Sequence, residues 1–159
     1  MSNVKLDSSA DIETGYLALF LGDGNPLAFE KSSKLTINAD EIDISNKTMG
    51  DWTGSLVGKK SYTIASEALT TKKTGAYSYD ALFDAFVAKS PISFTFGHMA
   101  SADSDNFGGT FTPDATKDSY TGKVIITSIE ITSEAGNIVT CSANFKGFGA
   151  LTKVKGTAV

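Results

Sequence analysis

Apolar and polar positions alternate along most of this chain with a period of two, and the period becomes helical only once. Residues 14–21 read as a strand with two apolar faces, Tyr16, Ala18 and Phe20 on one and Leu17, Leu19 and Leu21 on the other. Such a strand is covered on both sides, within its own domain or against another chain. Residues 22–26, Gly-Asp-Gly-Asn-Pro, signal a turn. Residues 27–38 form the return strand, kinked at 31–33, and Leu35, Ile37 and Ala39 alternate with Thr36, Asn38 and Asp40 before Ile42 and Ile44 carry the pattern on. Residues 45–58 have three glycines, no period and the only tryptophan, and are predicted as a long loop. In 59–69, Tyr62, Ile64 and Ser66 oppose Thr63, Ala65 and Glu67. Residues 92–98 alternate strictly, 99–118 read as a second long loop rich in Asp, Ser and Gly, and 119–133 with 137–146 form a closing hairpin.

The single helix is predicted over 78–89. Tyr79, Leu82, Phe83, Phe86 and Val87 make one continuous apolar stripe, expected to face the core. Ser78 is placed to cap the first turn, and Ser90-Pro91 stops the last. The opposite face, Asp80, Ala81, Asp84, Ala85 and Ala88, is expected to be wet. Residues 1–11 read as an arm and 147–159 as a small, basic terminal segment. The expected fold is mainly β: one domain of about seven or eight antiparallel strands, a β-sandwich or partly closed barrel, with one α-helix flanking an open end.

Composition removes most chemistry from consideration. The chain has 159 residues, 41% hydrophobic and 20% charged, enough for one self-sufficient core. One cysteine excludes an intrachain disulfide, and one histidine excludes a two-histidine metal site within one chain. All 14 basic residues are lysine and the net charge is −4, a poor equipment for gripping nucleic acid. The longest apolar run, 16–21, is too short to cross a bilayer, and the first residues lack a signal peptide's apolar stretch. A cytoplasmic product with no membrane partner is expected.

Candidate motifs fare little better. Asp103, Asp105, Gly108 and Asp114 are spaced like calcium-loop positions 1, 3, 6 and 12, but Phe107 occupies position 5 and a bidentate Glu is missing. His98 with Cys141 is a weak nucleophile–base pair, because Cys141 sits among Val139 and Ala143 as a small buried hydrophobe does. Asn46-Lys47-Thr48 fits a glycosylation sequon without a secretory context. Lys59-Lys60 and Lys72-Lys73 suit solvated strand edges. No catalytic, cofactor-binding or metal-binding residue is assigned. Trp52, with Met49 and Leu56, has two readings: an interface anchor, or a plug for the end of its own barrel.

One stretch carries a family resemblance. Asp43-Ile44-Ser45-Asn46-Lys47, then Gly50-Asp51-Trp52, then Gly58-Lys59-Lys60-Ser61-Tyr62-Thr63-Ile64-Ala65-Ser66, resembles the major tail proteins of long-tailed phages, the tail tube subunits. Ala65 stands where that pattern has a second serine, and Asp51 is a second departure. The resemblance implies a β-sandwich-like tube fold shared with contractile-phage inner tubes and the haemolysin-coregulated protein of type VI secretion. It implies that the protein acts without enzymatic chemistry. Six subunits form a ring, rings stack, and DNA passes through the bore. The loop 45–58 reaches the neighbouring ring, which makes Lys47, Met49, Gly50, Trp52 and Leu56 the inter-ring residues. Tyr16, Leu17, Leu19, Phe20 and Leu21 become a subunit–subunit strand, covered by a partner on one side. The partners implied are copies of itself, a tape measure protein, a tail terminator and baseplate or distal tail proteins, with DNA only as transiting cargo. The place implied is the virion tail, after assembly in the host cytoplasm.

Simple physics agrees. A chain of this length has a radius of gyration of roughly 15 Å, and six such bodies in a ring enclose a hole about one body wide. Six copies carry roughly −24 charges, so an acidic bore would let phosphate slide. The alternatives are an inner-tube protein of a contractile injection or type VI-like system and a non-enzymatic β-sandwich binding module, such as an adhesin.

Overall fold

The computed structural model describes residues 4–12, 17–22, 25–73, 77–105 and 108–157, with 101–105 and 108–111 described by their backbone. Among them are β1 (Leu17–Leu21), β2 (Asn25–Pro26), β3 (Glu30–Asp43), β4 (Ser55–Leu69), α1 (Tyr79–Ala88), β5 (Ile92–Asp105), β6 (Gly108–Pro113), β7 (Ser119–Thr132) and β8 (Thr140–Val154). All strand pairs are antiparallel, in one eight-stranded sheet ordered β2-β1-β5-β7-β8-β4-β3, with β6 on β5.

The sheet curls without closing. β3 lies beyond β4 at one edge and β1 lies near the other, yet the Leu19 N–H donates to Glu30 Oε2 across the gap at 3.1 Å. Curling encloses Leu19, Leu21, Phe94, Phe96, Tyr62, Ile64, Val124, Ala143 and Phe145, with Leu82 of the helix set against them. Alternation dictates this: Tyr62, Ile64, Ser66 and Ala68 all point inward from β4, and Cys141, Ala143 and Phe145 do so from β8. Gly147 makes room for the largest of these side chains. A Cβ there would lie 2.5 Å from the Tyr62 ring, whose hydroxyl donates to the Lys123 carbonyl at 2.7 Å.

The Glu30 bridge carries a pH consequence. Glu30 is half-buried, and its Oε1 is buried without a hydrogen-bond partner. Burial pushes its carboxyl above the ordinary value, and this outweighs the hydrogen bonds with Ser33 and Leu19 that pull it down. The native state therefore holds the Glu30 proton more tightly than the unfolded chain does. The stability linked to it is complete below the unfolded pKa and is lost as pH rises through the higher native one. Glu30→Gln keeps an oxygen for the Leu19 N–H and removes the charge. It should melt above the wild type near pH 7, with the gap closing toward about pH 4. A gap that stays constant in thermal melts across this range would exclude the Glu30 charge as its source.

Several boundaries differ from the sequence expectation. Residues 45–58 are loop only to Gly54, because β4 starts at Ser55. A bulge hides this extension: between the pairs Ala39↔Lys60 and Glu41↔Val57, Gly58 and Lys59 together oppose Asp40, so alternation breaks where the strand continues. Residues 99–118 are mostly the β5–β6 hairpin, and 147–159 begin as the end of β8. The helix matches in extent, with Ser78 and Lys89 at its ends, but Ser78 makes no side-chain cap. Its hydroxyl instead accepts the Thr71 N–H at 3.4 Å.

The larger correction concerns the helix face. Leu82 is the one fully buried helical side chain, flanked by half-buried Tyr79, Ala81 and Ala85, while Phe83, Phe86 and Val87 are 47%, 45% and 60% exposed. Small residues explain the rotation. The helix comes closest to β7, and its half-buried Ala81 and Ala85 permit a nearer approach to the sheet than phenylalanine would. Tyr79 and Leu82 border a small hollow with Ser66, Ala68, Cys141 and Ala143.

Candidate functional site

Among the described residues, the candidate motifs read from the sequence are not brought together. Among the described residues no group of three His, Cys, Asp or Glu is placed to hold a metal ion. His98 is one residue beyond the Gly97↔Ser119 pair, and Ser119 pairs with Val154, whereas Cys141 pairs with Ile131 and Ala68. Thirteen residues of β8 separate Cys141 from Val154, about 40 Å at 3.3 Å each, so His98 and Cys141 cannot act together. Burial raises the Cys141 thiol above its ordinary value. The calcium-like stretch pairs Asp103 with Thr110 and Asp105 with Gly108 in a hairpin ladder, while Asn106 and Phe107 lie outside the described residues. Asp114 accepts from the N–H and hydroxyl of Thr116, and these hydrogen bonds hold its carboxyl below the ordinary range.

What stands out instead is a projecting arm. β4 pairs with β8 only over Thr63–Leu69. Beyond that, from Ala39 and Lys60 outward, β3 and β4 pair with each other and, among the described residues, with no other strand. The tip is tied locally. Asp43 Oδ1 accepts the Ser45 N–H at 2.8 Å, the Ile44 N–H donates to the Gly54 carbonyl at 2.9 Å, and the Gly54 N–H donates to Ser45 Oγ at 3.0 Å. Asn46 Oδ1 caps the turn Lys47–Met49 by accepting the Thr48 N–H at 3.0 Å. Gly50 follows at φ 71°, a left-handed angle that favours glycine. Met49 folds over Gly54, where a Cβ would collide with the methionine's terminal methyl and would also meet the Ile44 side chain.

The arm is built firmly but covered poorly. Trp52 is 84% exposed, so it does not plug the end of its own barrel. Ile42 and Leu56 pair across the strands and are both exposed; Ile44, beyond the end of β3, and Val57, opposite Glu41, are exposed as well. A two-stranded hairpin is at best marginal in water alone, and these side chains gain nothing from solvent.

The five residues expected to meet the neighbouring ring share one element: Lys47, Gly50, Trp52 and Leu56 are exposed on the arm, and Met49 is half-buried against Gly54. The strand residues fall differently. Tyr16 lies outside the described residues, and Leu17 is 39% exposed. Leu19, Phe20 and Leu21 are fully buried by their own chain, so no partner is needed to cover them and none can reach them. Sequence reasoning missed Ile42, Ile44 and Val57 as arm residues, and the outward Phe83, Phe86 and Val87. The signal for the latter was the second, small-residue stripe Ser78, Ala81 and Ala85, which allows closer packing than bulky side chains do.

Comparison with known proteins is consistent with a surface meant for assembly. No curated protein matches the sequence significantly. The fold is similar to a chain in the virion of a native gene transfer agent particle, with TM-score 0.69 and 18% identity over 90% of this chain and 99% of that one. It is similar to the tail of an empty gene transfer agent particle of C6 symmetry, with TM-score 0.68 and 19% identity over 90% and 99%. It is also similar to the SPP1 tail tube, with TM-score 0.60 and 13% identity over 90% and 78%. The family model for phage tail tube protein matches residues 21–153, from the end of β1 to the end of β8, and the chain belongs to that family.

Proposed function

We propose that this protein is the wall-forming subunit of a phage tail tube: six copies close a ring, rings stack, and DNA passes through the bore. The observation that carries this reading is the β3–β4 arm, ordered by its own hydrogen bonds yet exposing Trp52, Ile42 and Leu56. The C6 symmetry of a structurally similar tail supports six copies. The function is mechanical and non-enzymatic. No bond is made or broken, and the net charge of −4 per subunit disfavours retention of phosphate. Lys47, Met49, Gly50, Trp52 and Leu56 reach the adjoining ring, and the ends of the tube meet the tape measure, terminator and baseplate-proximal proteins. The protein resides in the virion tail after assembly in the host cytoplasm.

Negative-stain microscopy of the purified protein over a concentration series tests the reading. Six-fold rings and tubes are expected, and monomers alone at every concentration would overturn it. Similarity to the cap of the anti-feeding prophage, with TM-score 0.63 and 15% identity over 97% of this chain and 96% of that one, supports a second reading as the inner tube of a contractile machine. A sheath around the native tube would select it.

A further inference from the structure

We infer that the outward stripe of α1, formed by Phe83, Phe86 and Val87, is the seat on which the β3–β4 arm of a second copy in the adjoining ring lies. The inference rests on the tube reading and adds the receiving surface that reading lacks.

The stripe is apolar, continuous and uncovered by the described residues. Phe83 and Phe86 are each about half exposed and Val87 more so, and the Phe83 ring stacks on Tyr79 with centroids 6.0 Å apart. Fully exposed aromatic side chains present about 150–250 Å² each, so the three leave on the order of 300 Å² of apolar surface. That is at the lower end of the roughly 300–600 Å² that the largest such patch on an ordinary monomer spans.

The fold places this patch where the arm of its own chain cannot go. The helix lies against β7, and its Tyr79 and Leu82 border a hollow shared with Ser66 and Ala68, at one end of β4. The arm leaves from the other end, beyond Lys60. From Leu56 to Ala68 the strand runs about 40 Å. A copy displaced along the strand direction brings its arm to the helix of the next. The pairing is head to tail: each subunit gives an arm at one end and receives one at the other. Such a heterologous contact propagates instead of closing into a pair. One contact of this size is far below the roughly 800 Å² per partner of a stable dimer, but a ring makes six at once. A second copy is thus the occupant that the size and position of the patch fit.

Two measurements test this. Phe86→Asp puts a charge in the stripe without touching Leu82. It should preserve the circular dichroism and ring formation but raise the concentration needed for tubes at least tenfold. Val87→Asp, at the most exposed position, serves if the first variant misfolds. In a Cys141→Ala background, chains carrying Leu56→Cys mixed with chains carrying Val87→Cys should form an interchain disulfide on mild oxidation of assembled tubes. If wild type and Phe86→Asp build tubes at the same concentration, the arm docks elsewhere and the tube reading stands. If Val87→Cys chains alone cross-link as readily as the mixture, helices pair with helices and the inference falls. If the wild type never assembles, it falls together with the tube reading.

Discussion

Trp52→Ala should abolish tubes while leaving the subunit folded. Trp52 is 84% exposed and the turn beneath it is held by Asn46, Ser45 and Gly50, so the substitution removes nothing from the core. Surface changes of this kind move stability by about 0.5 kcal/mol or less, which is a shift of about 2 °C at most in a chain of this size. At an interface the same side chain is of the type that costs about 2 kcal/mol or more on truncation. Six equivalent losses between two rings amount to roughly 12 kcal/mol, enough to stop stacking at any attainable concentration. The expected result is free rings in electron micrographs and an unchanged melting curve. Tubes of normal length at the wild-type concentration would remove Trp52 from the contact. A large fall in melting temperature would mean that the side chain is buried after all.

Leu82→Ala should act through the fold instead. Leu82 is the only fully buried residue of α1, and it joins the helix to the core made by Tyr62, Ile64, Val124 and Phe145. Truncating a buried leucine costs about 2–5 kcal/mol. At about 2–4 °C per kcal/mol the melting temperature should fall by about 10 °C. Tube formation should weaken as well, because the helix loses its fixed position, but only in step with the loss of helical circular dichroism. A variant that melts like the wild type would show that the helix is held by Tyr79 and its alanines. Together the two substitutions separate a residue that serves the neighbour from one that serves its own chain.

The strands with unbroken alternation were legible beforehand. Tyr62, Ile64 and Ser66 face inward, as do Phe94, Phe96 and Phe145, and the helix runs between the expected ends. What could not be read follows from local physics. The bulge at Gly58 and Lys59 makes Leu56 and Val57 look aperiodic, so half of the arm passed for loop. Asp, Ser and Gly at 101–110 are weak strand formers, and ladder hydrogen bonds override that weakness in β5 and β6. The helix has two usable faces, one bulky and one small, and only its close approach to β7 decides between them. Two apolar faces on β1 are equally compatible with a partner or with self-burial, and for Leu19, Phe20 and Leu21 the answer is self-burial. Lys47, Gly50, Trp52 and Leu56 are singled out by motif order, while their shared projection depends on where β4 leaves β8.

The turn at the arm's end owes its shape to Asn46, Ser45 and Gly54, so the identity of residue 52 is free to change without unravelling the structure that presents it. In the proposed tube, the fit between one ring and the next can therefore change one side chain at a time.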